Sequence, residues 1–276
     1  MLFRSVRDLI KSVVIASAND AAVALAELVA GSEEAFVQQM NDRARALGMK
    51  DSTFENVTGL DDDAVNHVTS AYDIALMSRE LVRHESILEY TAIWMDTIRD
   101  GAFGLTNTNR LIRFYNGATG LKTGSTAKAK FCMSATAMRD GLHLVAVIMG
   151  SSTRDARNIS AQKLLDFGFA NYSVYQDSQS EEIRVPVVAG MLDYTEAEYA
   201  PVELLINKGE MGKIERVLEL KTDIVAPVKK GDCVGIIRYL CGNDELGRCE
   251  IVAKNSIDKI TFFDLYMRVL KQLLLC

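Results

Sequence analysis

The apolar residues of this chain change their period twice, and that change limits what it can fold into more than any other feature. Val6, Leu9, Ile10, Val13 and Val14 recur at helical spacing, as do Ala35, Phe36, Met40, Ala44 and Leu47. The pattern predicts one or two helices over 6–30 and further helices over 32–47 and 69–84. Asn19-Asp20 can cap the alanine-rich run 21–30, which stops at Gly31. Ser32 and Gly48 bound the second helix, and Thr69 or Ser70 opens the third. From Leu111 the period shortens. "KFCMSATAMRDGLHLVAVIMG" reads as two strands joined by a turn at Arg139–Gly141, and 153–172 returns to helix. Helices, then strands, then a closing helix predict an α+β packing in which helices cover an antiparallel sheet.

After Tyr175 the character shifts again. Short β-rich runs at 181–190, 199–209, 213–220, 224–240 and 247–254 are separated by turn residues, which predicts a small all-β sandwich. The last stretch sets Phe262, Phe263, Leu265, Tyr266, Val269, Leu270, Leu273 and Leu274 against few polar positions. It is too short to span a bilayer, which needs about 20 residues. Two readings stay open: an amphipathic helix on a membrane surface with Lys259, Arg268 and Lys271 toward headgroups, or a helix docked on its own domain. The expected division is 1–175, 176–258 and 259–276.

Charge and cysteine usage exclude several function classes. A net charge of −6 without a long basic run argues against nucleic-acid binding. His67, His84 and His143 are scattered, no C-x-x-C occurs, and the aspartates at 61–63 lack the ligand spacing of an EF-hand, so no metal is expected. Cys241 and Cys249 flank the turn-like "GNDELGR" and could face each other across a hairpin, although free thiols are the simpler reading of an odd cysteine count. The N-terminus imitates a signal peptide, but Arg7, Asp8 and Lys11 break its apolar run below the roughly 7–15 residues required.

Two motifs carry chemistry. "GATGLKTGST" resembles a phosphate-binding loop, but Leu121 separates the glycine from the lysine and a strand-like run follows. The better reading is a strand lining a cleft. Lys122 supplies a fixed cation for a substrate carboxylate, Thr123 a hydroxyl for the same group, and Gly124 room for a substrate backbone. About a hundred residues earlier, "SAND" places Ser17 and Asn19 in an S-x-N pattern, the element that accompanies K-T-G in penicillin-binding proteins and β-lactamases.

With both motifs in place, the chain closely resembles the D-alanyl-D-alanine carboxypeptidases, low-molecular-weight penicillin-binding proteins of the S11 serine peptidases. The resemblance implies a partial β-lactamase/transpeptidase-like domain, a β-sandwich and an amphipathic membrane-surface tail. It implies an enzyme that trims the terminal D-alanine from peptidoglycan stem peptides outside the cytoplasmic membrane, through an acyl-serine and without cofactor, and that β-lactams inhibit. It implies that Ser17 relays protons and Asn19 binds the substrate amide. Lys122, Thr123 and Gly124 would form the carboxylate-binding strand, and the N–H of Ser125 one half of the oxyanion hole. Arg157 is either a basic residue at the cleft mouth that helps bind the carboxylate or a solvated helix-start arginine.

One element of the family is out of place. Its nucleophile and base come from an S-x-x-K helix start well before the S-x-N serine, yet only sixteen residues precede Ser17. The strings Ser125/Lys128, Ser160/Lys163 and Ser256/Lys259 all lie elsewhere and are read as decoys. The expectation is a truncated gene product, with "LFRS" resembling translated adapter, that is not acylated by penicillins. The alternatives are a non-catalytic peptidoglycan-binding module and, from the shared motifs, a β-lactamase relative.

Overall fold

The computed structural model describes residues 5–61, 64–179 and 181–274. Met1–Arg4, two of the three loop aspartates (Asp62, Asp63) and Cys276 lie outside them. The chain divides into two compact units, Met1–Ala170 and Asn171–Cys276.

In the first unit the 6–30 stretch folds as two helices, α1 (Val6–Ala16) and α2 (Asn19–Ala30), broken at Ser17. Asn19 and Asp20 do not cap α2 from outside. The N-cap is Ala18, and Asn19 is already helical because the break falls two residues earlier than the alanine run suggests. Ser32 caps α3 (Glu33–Ala46), its Oγ accepting from Ala35 N at 3.1 Å, and Ser70 caps α4 (Ala71–Val82) likewise at Asp73 N. Four short elements follow: α5 (Glu85–Thr91), the hairpin β1 (Met95–Ile98) and β2 (Phe103–Thr106), and α6 (Leu111–Phe114). Their apolar runs are too brief to display a period, which is why the sequence did not mark them.

The antiparallel sheet runs β3 (Ala118–Thr126), β4 (Lys130–Arg139), β5 (Leu142–Ser151), and α7 (Arg154–Asn171) closes the unit. The β4–β5 turn sits where expected, with Asp140 and Gly141 both at positive φ. Helix α4 packs on this sheet, where the buried Ser78 and Ser134 hydroxyls share a 2.7 Å hydrogen bond. The end of α1 is anchored by Ile15, which is 0% exposed and clusters with Ile98 and Leu105 of the hairpin. Burial of such side chains stabilises by about 1.5–3 kcal/mol each.

The second unit is the expected sandwich-type β domain. It comprises β6 (Tyr172–Asp177), β7 (Ile183–Val188), β8 (Tyr194–Glu198), β9 (Val202–Asn207), β10 (Ile214–Leu220), β11 (Ile224–Val225), β12 (Cys233–Cys241) and β13 (Asp244–Ala253). Six strands form one sheet in the order β10-β12-β13-β8-β7-β11, and β6 pairs with β9. Strand β7 shows how alternation builds the core: Ile183, Val185 and Val187 are buried while Arg184, Pro186 and Val188 are exposed. The β12–β13 connection is tighter than "GNDELGR" suggests, since Asp244 already pairs with Cys241. Cys249 therefore lies opposite Ile237 rather than Cys241, and the four described cysteines are free thiols.

Helix α8 (Phe262–Leu274) begins at Thr261, whose side chain exchanges hydrogen bonds with Asp264. Arg268 does not point away from the protein: it pairs with Asp193 at 3.3 Å and donates to the Met191 carbonyl at 2.7 Å. The helix is thus tethered along a polar edge, while Phe262, Phe263, Leu273 and Leu274 stay strongly exposed.

Candidate active site

Ser17 terminates α1 in the left-handed region, at φ 61° and ψ 42°. The backbone closes as an αL cap, Ser17 N donating to Val13 O, with Ala18 N reaching back to Ser12 O. Glycine or asparagine would suit this position better, since a serine here costs about 1–2 kcal/mol. The conformation reverses the chain so that α2 starts at once and the exposed Ser17 hydroxyl is left at the junction. Its Oγ accepts a 2.7 Å hydrogen bond from Lys122 Nζ, across 105 residues of sequence. The S-x-N and K-T-G elements therefore meet. Asn19 sits in the first turn of α2 with its side chain exposed.

Lys122, Thr123, Gly124 and Ser125 lie on β3, paired with β4 from Ser134 to Phe131. Because this stretch is a strand with no helix following it, the phosphate-loop geometry is absent. Lys122 Nζ also donates to the Thr123 carbonyl at 2.6 Å. A side chain added at Gly124 would meet no protein atom within 4 Å, so the strand's surface is open there. Ser125 is exposed beside it.

Arg157, on the first turn of α7, is 5% exposed and not a solvated helix-start residue. It reaches the Cys132 carbonyl at 3.4 Å, and Cys132 is the residue opposite Gly124. Its Nε and second terminal nitrogen go to Asn158 Oδ1. Neither Arg157 nor Lys122 has an acidic partner within 4 Å among the described residues. Burial, and then the charge of Arg157, pushes the Lys122 ammonium down to about 8. Burial likewise lowers Arg157, with Arg154 adding to it. The charge of Arg157 acts on Lys122, and neither cation has an anion beside it among the described residues.

The sequence reading missed the segment that braces these walls, "TNTN" at 106–109. Thr108 N donates to Ile15 O, two residues before Ser17, while Thr123 Oγ1 donates to Thr108 Oγ1 at 2.7 Å. Asn109, 1% exposed, donates to the Gly120 carbonyl, and Asn107, 3% exposed, donates to the carbonyls of Thr91 and Ile93. One polar segment thus ties the end of α1, the start of β3 and the end of α5 together. Two asparagines flanking a threonine between a strand and a helix were the available signal, but asparagine is common in any turn.

None of the S-x-x-K serines hydrogen-bonds its lysine among the described residues. Lys128 donates to the Asp61 carbonyl, Ser160 lies within α7, and Ser256 Oγ accepts from Lys230 N in the second unit.

Comparison with known proteins fits this geometry. Residues 4–153 match the D-alanyl-D-alanine carboxypeptidase family, peptidase S11, and residues 199–259 match the C-terminal domain of penicillin-binding protein 5. The chain is 38% identical over 274 residues to the D-alanyl-D-alanine carboxypeptidase DacF of Bacillus subtilis, covering 96% of this chain and 70% of that protein. Penicillin-binding protein 5 from Haemophilus influenzae superposes with a TM-score of 0.72 at 28% identity, over 92% of this chain and 75% of that one. Penicillin-binding protein D2 from Listeria monocytogenes in its ampicillin-bound form has a TM-score of 0.56 at 36% identity, over 60% and 68%. With the S-x-N and K-T-G elements joined in one site and both units matched, the chain belongs to the D-alanyl-D-alanine carboxypeptidase family.

Proposed function

We propose that this site binds the terminal carboxylate of peptidoglycan stem peptides ending in D-Ala-D-Ala, the substrate end on which a serine-type carboxypeptidase of this family acts. The observation that carries the reading is a pair of cations without an acidic partner among the described residues: Lys122, half-buried and depressed by its surroundings, and the buried Arg157. A carboxylate entering between them would replace lost hydration with charge-assisted hydrogen bonds. Gly124 then leaves room for the substrate backbone to lie along β3, and Asn19 offers an amide to the peptide bond. The Ser17–Lys122 hydrogen bond is suited to relay a proton to a leaving amine, because burial brings Lys122 close to neutral pH. Ser125 N–H is assigned to the oxyanion hole.

In the family reaction a serine attacks the penultimate D-alanine carbonyl, D-alanine leaves, and water hydrolyses the acyl-serine. We assign no serine of residues 1–276 as that nucleophile, since no S-x-x-K pair stands at this site. A fluorescent penicillin should leave no covalent label on the chain, and a labelled serine would overturn that assignment. Binding is tested with diacetyl-L-lysyl-D-alanyl-D-alanine and its C-terminal amide by titration calorimetry. The acid should bind at least about tenfold tighter than the amide, and Lys122→Ala should abolish the difference.

The same reading assigns the protein to the outer side of the cytoplasmic membrane, with the exposed apolar face of α8 against lipid. No helix among the described residues is long and apolar enough to cross a membrane. Co-sedimentation with anionic vesicles should be lost in Phe262→Glu/Phe263→Glu, and unchanged sedimentation would remove the lipid assignment.

A further inference from the structure

A peptide whose terminal carboxylate sits at Lys122 can leave the site along β3 in one direction only. Toward the start of the strand the way is shut: Leu121 is 4% exposed, and Gly120 is packed so that a Cβ there would meet Thr91 at 2.8 Å. Toward its end Gly124 and Ser125 are exposed. An extended chain advances about 3.3 Å per residue, so a peptide ending at Lys122 and Thr123 brings the residue before D-Ala-D-Ala level with Ser125.

A cation stands beside that position. Phe131 of β4 is the residue opposite Ser125, and the Arg154 guanidinium lies over its ring, 5.9 Å from the centroid. Arg154 is exposed and forms no ion pair among the described residues. It is close enough to Arg157 for its charge to act there. An aromatic face steadies a guanidinium without neutralising it, so its charge stays available to a ligand. Lys128 and Lys130, both exposed, stand at the same end of the β3–β4 hairpin, and Lys128 Nζ donates to the Asp61 carbonyl. In a chain of net charge −6 this corner is basic. It attracts a second carboxylate and repels an ammonium.

We propose that Arg154 is a specificity residue that recognises a carboxylate on the side chain of the residue preceding D-Ala-D-Ala, as in a diaminopimelyl peptide and unlike a lysyl one. Lys122 and Arg157 take the terminal carboxylate, and Arg154 takes the side-chain one. The inference rests on the carboxylate-binding reading above.

Titration calorimetry with three peptides tests it: acetyl-meso-diaminopimelyl-D-alanyl-D-alanine, the same peptide amidated at its side-chain carboxylate, and the same peptide amidated at its C-terminus. The chain should bind the first about fivefold tighter than the side-chain amide. Arg154→Gln should bring these two within about twofold of each other, while Arg154→Lys, which keeps the charge, should retain a preference of about threefold. Because Arg154 is exposed, the preference should vanish at about 1 M salt, where the Debye length is about 3 Å. A preference that survives in Arg154→Gln would overturn the proposal. So would a loss in that variant that is equal for both peptides, since Arg154 would then serve the terminal carboxylate alone. The C-terminal amide separates the two readings. If the chain prefers the terminal acid but ignores the side-chain carboxylate, the carboxylate reading stands and the Arg154 proposal falls. If it does not prefer the terminal acid, both fall.

Discussion

Each unit removes charge from water, and they do so in opposite ways. In the second unit Asp177 accepts from two tyrosine hydroxyls and pairs with one guanidinium. Tyr239 OH lies 2.6 Å away, Tyr199 OH 3.3 Å, and Arg216 Nε 3.2 Å as an ion pair. Arg216 also pairs with Glu181 and lies over the Tyr199 ring. In the first unit Lys122 and Arg157 have hydroxyl, amide and carbonyl oxygens as partners but no carboxylate among the described residues. In the Asp177 cluster the opposite charges are paired, and it links strands β6, β10 and β12. The Lys122–Arg157 pair lacks an opposite charge, which costs stability. Pairing, more than burial, separates a structural charge from a functional one.

The largest effect should come from breaking the complete cluster. Asp177→Ala leaves Arg216 uncompensated and strips two tyrosine hydroxyls of their acceptor, which should cost about 3 kcal/mol in denaturant unfolding. A loss well under about 1 kcal/mol would mean the cluster is solvated and the contrast false.

Ligand affinity should show the incomplete pair through pH. Lys122 keeps its proton below about 8, so acid binding is flat there and falls about tenfold per pH unit above. Arg157→Gln removes the second cause of the depression and should move the fall to higher pH, a shift that calorimetry across pH 6–10 would detect, on the order of a few tenths of a unit or more. A profile unaffected by either change would separate Lys122 from binding.

A smaller effect of opposite sign is expected for stability. Lys122→Met should stabilise the free chain at pH 7 by about 1 kcal/mol while removing the preference for the acid. The folded lysine titrates at about 8 against an ordinary 10.5, so its penalty is complete below pH 8. The advantage of methionine should therefore fade as pH rises from 8 toward 10.5, as thermal unfolding would record. The smallest effect belongs to a pair exposed to solvent: Arg43→Ala, which removes the 2.6 Å contact with Glu80, should change stability by no more than about 0.5 kcal/mol.

Where a segment was long and periodic, the sequence was legible. The alternation of β7, the caps at Ser32 and Ser70 and the β4–β5 turn follow from local chemistry that acts within a few residues. The short α5, the β1–β2 hairpin and α6 were not legible, because four to seven residues cannot establish a period. The site was half legible. S-x-N and K-T-G are chemical types at fixed local spacing, and each can be read as it stands. Arg157 stayed ambiguous because its burial depends on packing that brings it to the Cys132 carbonyl of β4, and Thr108 was invisible because its partner is fifteen residues away on β3. The helix break was misplaced by two residues because a left-handed serine has no strong local signature.

The sequence by itself determined the α+β order, the β-rich second unit, the family and the two motifs, since periodicity, turn chemistry and tripeptides are properties of neighbours in the chain. Only the tertiary structure decided that Ser17 and Lys122 touch, that Arg157 is buried without an acid beside it among the described residues, that Cys241 and Cys249 do not face each other, and that the hydroxyls of Thr123 and Thr108 meet. Each of these depends on distances between residues far apart in sequence, and on the water that packing excludes from between them.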